Sequence, residues 1–350
     1  MHLGGIKNIS AAAKKYLFGP GTYSNNLTGT FSASGNNITI TGACTVAPDG
    51  TTGAAVVVCD SLTLDGASAS LTPSTNCKGL IIFAKSSITL KNGAKLNIDK
   101  LGKAGNFGNL TVLDLAPSWV KGKLKSALAT YVVLGEGAAG GSSVTSSAAS
   151  TWLPGVSGSA AGSMRTGGGG SGSIYNGTTS TTATSGTGGK GGPCCGGAAS
   201  GANGGGTTAT SNAGDYGGPA SAAAVAMSAG GAAGNPVGAK NTAASNGGTP
   251  TDADGAGGGL LMLFSPVISI GVGCVVSADG GNGGSALGGW YGLGGSGAGG
   301  GCVVIVTNPS GYTNSGTVRA NGGTGGTASG YSYISGANGG AGSVNVFTVS

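Results

Sequence analysis

Few groups in this chain could do chemistry: ten carboxylates, seven cysteines and one histidine among 350 residues. The lone histidine, His2, stands beside Met1, which argues against a Ser-His-Asp or Cys-His arrangement. Asp252 and Asp254 alternate in Thr251-Asp-Ala-Asp-Gly, a pattern that could open a calcium loop, but no acidic residue closes it at EF-hand spacing. A carboxylate pair for cleaving glycosidic bonds would have to come from Asp60, Asp65, Asp99 and Asp114. Five cysteines (Cys44, Cys59, Cys77, Cys274 and Cys302) sit in apolar runs such as Val56–Cys59 and read as small core hydrophobes. The vicinal Cys194-Cys195 could be a redox or metal pair, yet there is no Cys-x-x-Cys element or second histidine to complete a zinc site. Gly189-Lys-Gly-Gly and Gly295-Ser-Gly-Ala-Gly-Gly have phosphate-loop texture, but neither GxGxxG before a helix nor Gly-Lys-Ser/Thr is present. The expectation is a chain that is not an enzyme and uses no metal and no cofactor.

A display surface is available instead. Trp290, Tyr291, Tyr331, Tyr333 and Tyr312 stand among residues with small side chains, as do Trp152, Tyr175 and Tyr216. Isolated aromatics on such loops suit the gripping of sugars or protein surfaces at low entropic cost. The competing reading is that each one plugs a hole in the packing. Charge offers less: residues 1–135 carry 12 Lys against five Asp, and residues 136–350 carry four basic against five acidic groups. The lysines are spaced singly and no binding motif accompanies them, so no nucleic-acid partner is expected.

The elements that must position these residues change character along the chain. Ile6 to Leu17 has helical spacing and stops before Gly19-Pro-Gly, and Val120, Leu124, Leu128 and Tyr131 predict a second short helix over 118–131. From Tyr23 to Ile98 short β-rich runs alternate with Asn-Gly and Asp-Gly turns. Leu62–Leu64, Ile88–Leu90 and Leu96–Ile98 repeat one pattern, which favours stacked rungs of a β-solenoid over a sandwich of hairpins. After residue 135 the frequency of glycine more than doubles, from 17 in 135 residues to 62 in 215. Gly257–Gly284 and Gly299–Gly326 are two copies of one unit, 42 residues apart. Each has triple glycine, an apolar strand, a proline turn, a second strand ending in Ala, and a Gly-Gly-x-Gly-Gly tail.

The boundaries expected are an attachment segment 1–22, a β-rich domain 23–135, a Gly/Ala/Ser/Thr-rich insertion 136–256 and a repeated domain 257–350. The fold class expected is all-β, with a solenoid or sandwich-like core, polyglycine-II-like segments and one or two short helices. In such segments, three residues per turn with glycine at two of every three positions lets neighbouring backbones approach and hydrogen-bond. Gly280, Gly281, Gly283 and Gly284 should then lie beside Gly322, Gly323, Gly325 and Gly326. The most apolar stretch, Leu260–Val276, is broken by Pro266, Gly271 and Gly273 and is too interrupted to span a bilayer. The start of the sequence lacks an apolar signal-peptide core.

Glycine triplets, short valine/isoleucine strands and Asn-Gly-Gly-x-Gly-Gly tails together resemble glycine-rich bacteriophage tail-fibre and tail-tip adhesins. The resemblance is one of texture over 137–350 and of motif over 257–326. It implies a polyglycine-II bundle whose tip loops select the host receptor, with Trp290, Tyr291, Tyr331 and Tyr333 at the tip. It also implies a virion protein assembled in the host cytoplasm and exposed outside the cell. The partners implied are other virion proteins and a host surface glycan or outer-membrane protein, with a homo-oligomer expected by analogy. The alternatives are a decoration or filament subunit without a receptor role, and a β-helical polysaccharide depolymerase.

Overall fold

A computed structural model of the chain describes residues 27–50, 52–103, 116–117, 137–148, 151–163, 165–171, 174–176, 183–184, 188, 190–191, 195–197, 203–204, 229–230, 249–250, 257–283, 286–287, 291–293, 295–327 and 332–349. Among the described residues the protein is all-β, with no helix. The attachment segment 1–22 and both expected helices fall outside them.

The dominant sheet has 13 strands. In chain order they are β1 (Leu27–Ser34), β2 (Asn37–Val46), β3 (Ala55–Asp65), β4 (Ser70–Pro73), β5 (Leu80–Lys91) and β6 (Lys95–Asn97). Then follow β7 (Leu260–Phe264), β8 (Val267–Ile270), β9 (Val275–Ser277), β10 (Cys302–Thr307), β11 (Tyr312–Asn314), β12 (Thr317–Arg319) and β13 (Ser343–Thr348). The main path runs β12-β9-β6-β4-β2-β3-β5-β7-β10-β13. Its two end strands come near each other, so the sheet almost closes on itself. Every pairing in it is parallel except β1 with β2. A sandwich of hairpins would have alternated direction, so that expectation is corrected: outside the β1–β2 hairpin, strands reach their neighbours through crossovers, not tight turns.

Register explains the repeats. Leu62 pairs with Ile88 and Leu64 with Leu90. The 42-residue spacing is the offset of Leu260 on Cys302 and of Val275 on Thr317. β5 and β7, far apart in sequence, pair from Leu80↔Leu261 to Phe83↔Phe264. Columns of side chains result, such as Ala55-Leu80-Leu261-Val303 and Val57-Ile82-Leu263-Ile305, all fully buried. The turns stack as well: Asn92 and Gly93 take positive φ of 58° and 83°, and Gly273, at 75°, repeats the bend one layer on.

The strands come in two textures for a physical reason. Val56, Val58, Ile81, Phe83, Met262, Phe264, Val304 and Val306 face away from the enclosed core yet are buried in a second cluster with Ala116, Phe347 and Val349. Phe83 and Phe264 stack within it, their centroids 4.9 Å apart. Strands buried on both faces read as unbroken apolar runs, as in Leu260–Phe264. β8, with one face toward solvent, alternates as Val-Ile-Ser-Ile.

Candidate functional site

The glycine-rich segments pack against one another through backbone hydrogen bonds. The tails expected side by side are in contact: Gly280 and Gly283 donate to the carbonyls of Asn321 and Thr324, each at 2.8 Å. Gly322 and Gly325 each pack on the segment that follows, with Gly339 and Gly336 as their neighbours. Gly281 accepts from Ala298, Gly323 donates to Ala298, and Gly326 donates to Gly295. Gly284 lies outside the described residues.

The bonds extend this pair into a bundle. Residues 137–141, 165–171, 195–197, 278–283 and 320–326 run one way, and 156–161, 188–191, 257–259, 295–301 and 336–342 run back. Segment 295–301 is at its centre. Its amides donate to Ala337, Gly281, Gly197, Gly340 and Ala278, and its carbonyls accept from Gly167, Gly170, Gly258, Gly323 and Gly326. Six segments therefore surround it, and all seven of its residues are buried. At the rim, exposure repeats every three residues: from Asn321 to Thr327, and again from Ser335 to Ser343, the order is exposed, half-buried, buried. A period of three is neither the two of a strand nor the 3.6 of an α-helix.

Glycine is required here by close approach. A Cβ on Gly297 would run into the carbonyl of Gly323, and one on Gly301 into that of Gly259. Ser296 and Ala298 are the central positions that hold a side chain, with the Ser296 hydroxyl donating to the Ser171 carbonyl. The segments without a clear Gly-Gly-x period, such as 165–171, were missed by sequence reasoning. The available signal was directional: each outgoing tail of the repeat needs a returning partner.

The alternation of direction brings the chain out of the bundle at one end five times, after residues 141, 171, 197, 283 and 326. Short ladders tie the emerging chain together. Tyr291–Leu293 pairs in parallel with Ser332–Ile334 and with Ala229–Gly230, and Ala286–Leu287 pairs with Thr249–Pro250. Thr151–Leu153, Ile174–Asn176 and Asn203–Gly204 form another. The strands that carry two of the aromatic candidates are thereby paired, with Tyr291 opposite Ser332 and Tyr333 opposite Gly292. Trp290 and Tyr331 lie outside the described residues. Tyr312 is elsewhere: it lies on β11 beside Ile268, packed half-buried against the enclosed core, and burial pushes its phenol above the ordinary range.

The junction between sheet and bundle uses the carboxylates. Asp99 accepts from the Ser277 hydroxyl (2.8 Å) and the Asp279 amide (2.7 Å); one layer on, Asp279 accepts from the Asn321 amide (2.7 Å) and Arg319 Nε (2.6 Å). Burial raises the Asp99 carboxyl, and these hydrogen bonds oppose the rise. Asp65, bonded to Lys91 and Asn92, is held below the usual carboxylate range. Each of these three carboxylates is engaged by neighbouring layers.

The cysteines are packing groups. Burial pushes the thiols of Cys59 and Cys195 up to about 12 and those of Cys77 and Cys302 to about 11, far from the reactive thiolate range. Cys195 bridges to Gly259 inside the bundle, and Cys194 lies outside the described residues. No group of three or more metal-ligating side chains occurs among the described residues. Comparison with protein-family models, with curated proteins and with solved structures finds no match.

Proposed function

We propose that this chain is a bacteriophage virion protein, a tail-fibre or tail-tip adhesin that holds receptor-selecting loops at the end of a rigid glycine bundle. The stacked parallel layers are read as a β-solenoid and the packed segments as polyglycine-II helices grown from its edge. One observation carries the reading: the chain leaves a backbone-bonded bundle five times at a single end, and short ladders tie the emerging chain together. Loops on a stiff stalk can vary in sequence without disturbing what holds them, which suits selection of a host surface glycan or outer-membrane protein. The paired Tyr291 and Tyr333 strands are the first candidates for contact.

The test exchanges residues 284–294 and 327–335 for glycine/serine linkers of equal length. The exchange stops short of residue 295 because the central segment begins there. The purified variant should keep its unfolding transition and lose binding to host cells, and phage carrying it should lose adsorption. Unchanged adsorption and host range would leave a structural subunit without receptor role. Release of sugars from capsule or lipopolysaccharide by the wild-type protein would establish a depolymerase instead.

A further inference from the structure

An asparagine followed by glycine can lose ammonia without a catalyst. The glycine amide nitrogen, unscreened by a side chain, attacks the asparagine Cγ. A C–N bond closes a five-membered succinimide, and the carboxamide nitrogen departs as ammonia with the amide proton. Water then opens the ring to aspartate or isoaspartate. Three of the bundle's segments carry the same tripeptide, Asn-Gly-Gly, beginning at Asn282, Asn321 and Asn338, and all three asparagines are exposed. Local sequence and solvent access therefore do not separate them. Their hydrogen bonds do.

Ring closure turns the asparagine–glycine peptide plane and swings the carboxamide. Any hydrogen bond to the asparagine carbonyl, to its carboxamide or from the glycine amide has to open first. Among the described residues, Asn338 has three such bonds: Gly158 donates to its carbonyl (3.0 Å), Gly325 to its Oδ1 (2.7 Å), and Gly339 to the Gly323 carbonyl (2.9 Å). Asn282 has two: Thr324 donates to its Oδ1 (2.9 Å), and Gly283 to the Thr324 carbonyl (2.8 Å). Asn321 has one, from Gly280 to its carbonyl (2.8 Å). Its carboxamide and the Gly322 amide have no partner among the described residues.

We propose that Asn321 is a site of spontaneous deamidation, left open by the bundle while the same tripeptide is locked at Asn282 and Asn338. The product bears on the tail that contains it. Isoaspartate lengthens the main chain by one methylene just before Gly322. Gly323 and Gly326 are then out of phase with Ala298 and Gly295, the carbonyls they donate to in the central segment. Either product also sets a new carboxylate beside Asp279, whose side chain holds the Asn321 amide. The proposal does not depend on the adhesin reading.

The test ages the purified full chain in mildly alkaline buffer made with heavy-oxygen water, beside the same chain unfolded in guanidinium chloride. Fragmentation mass spectrometry reads aspartate and isoaspartate at each of the three positions. One hydrogen bond that must open first slows the step about two- to tenfold. In the folded chain Asn338, with two more bonds than Asn321, should therefore convert about tenfold more slowly or less, with Asn282 between them. In the unfolded chain the three should convert at a common rate, and at Asn321 isoaspartate should accompany aspartate. A folded chain in which Asn321 converts no faster than Asn338 overturns the proposal. The same ranking in the unfolded chain, or conversion at Asn321 without isoaspartate, does so too.

Discussion

Replacing Gly297 by alanine probes the bundle at its most enclosed point. A Cβ there would overlap the carbonyl of Gly323 and press on the carbon of Thr324, both backbone atoms that cannot rotate away. Making room requires a neighbouring segment to move by roughly 1 Å, comparable to the overpacking that costs about 1–3 kcal/mol in ordinary cores. Gly297 also donates to Ala337 at 2.8 Å and accepts from Gly170 at 3.0 Å, and the displacement lengthens both bonds. Each buried group left unpaired costs about 1–3 kcal/mol. Against this, alanine stiffens the unfolded chain and returns only about 0.4–1 kcal/mol. The net expectation is a loss of about 3–6 kcal/mol. Gly162→Ala is the control, because a Cβ there meets nothing within 4 Å. Chemical denaturation of the two variants, with amide exchange at Gly323 and Gly339, measures the difference. If Gly297→Ala matches Gly162→Ala to within about half a kcal/mol, close backbone packing is not what makes glycine necessary there.

Alkali should destabilise the fold early. The folded-state thiols of Cys59, Cys77, Cys195 and Cys302 lie at about 11 to 12 against an ordinary 9.0, so their contribution is complete below pH 9 and is lost as pH rises toward 11–12. Each thiol should cost about 1.4 kcal/mol per pH unit in that window, read as a falling melting temperature between pH 9 and 11. Asp279→Ala removes the acceptor of both Arg319 and the Asn321 amide at the junction of two layers. With Arg319 partly exposed, the expected loss is about 1–2 kcal/mol, and a smaller gap from wild type in 1 M salt would identify the ionic share.

Sequence revealed most where one residue pattern had one physical cause. The Leu/Ile-x-Leu/Ile triplets are the inward columns, and the 42-residue repeat is the ladder offset, because stacked layers need equal contour length. Direction was not legible: a run such as Leu80-Ile-Ile-Phe fits a parallel or an antiparallel neighbour, and hairpin-like Asn-Gly turns in fact bend the chain within a layer. The second apolar cluster was hidden for a related reason, since periodicity cannot say what covers the far side of a strand. Within the bundle, the Gly-Gly-x tails at the rim could be read because their third residue reaches solvent. The central Gly295-Ser-Gly-Ala-Gly-Gly-Gly could not, because a segment enclosed on all sides has no outward position to mark its period. The two helical periodicities and three of the aromatic residues, Trp290, Tyr331 and Tyr216, fall outside the described residues.

The hydrogen bonds of the bundle run across its segments, from one backbone to the next at the same height, as in Gly297 to Ala337 and Gly300 to Gly340. A pull applied at the loop end, along the segments, therefore strains many of these bonds together in shear. A pull from the side would open them one after another. A stalk built this way is strongest against tension along its own length and weakest against peeling. It would hold fast when tugged endwise and let go when levered sideways.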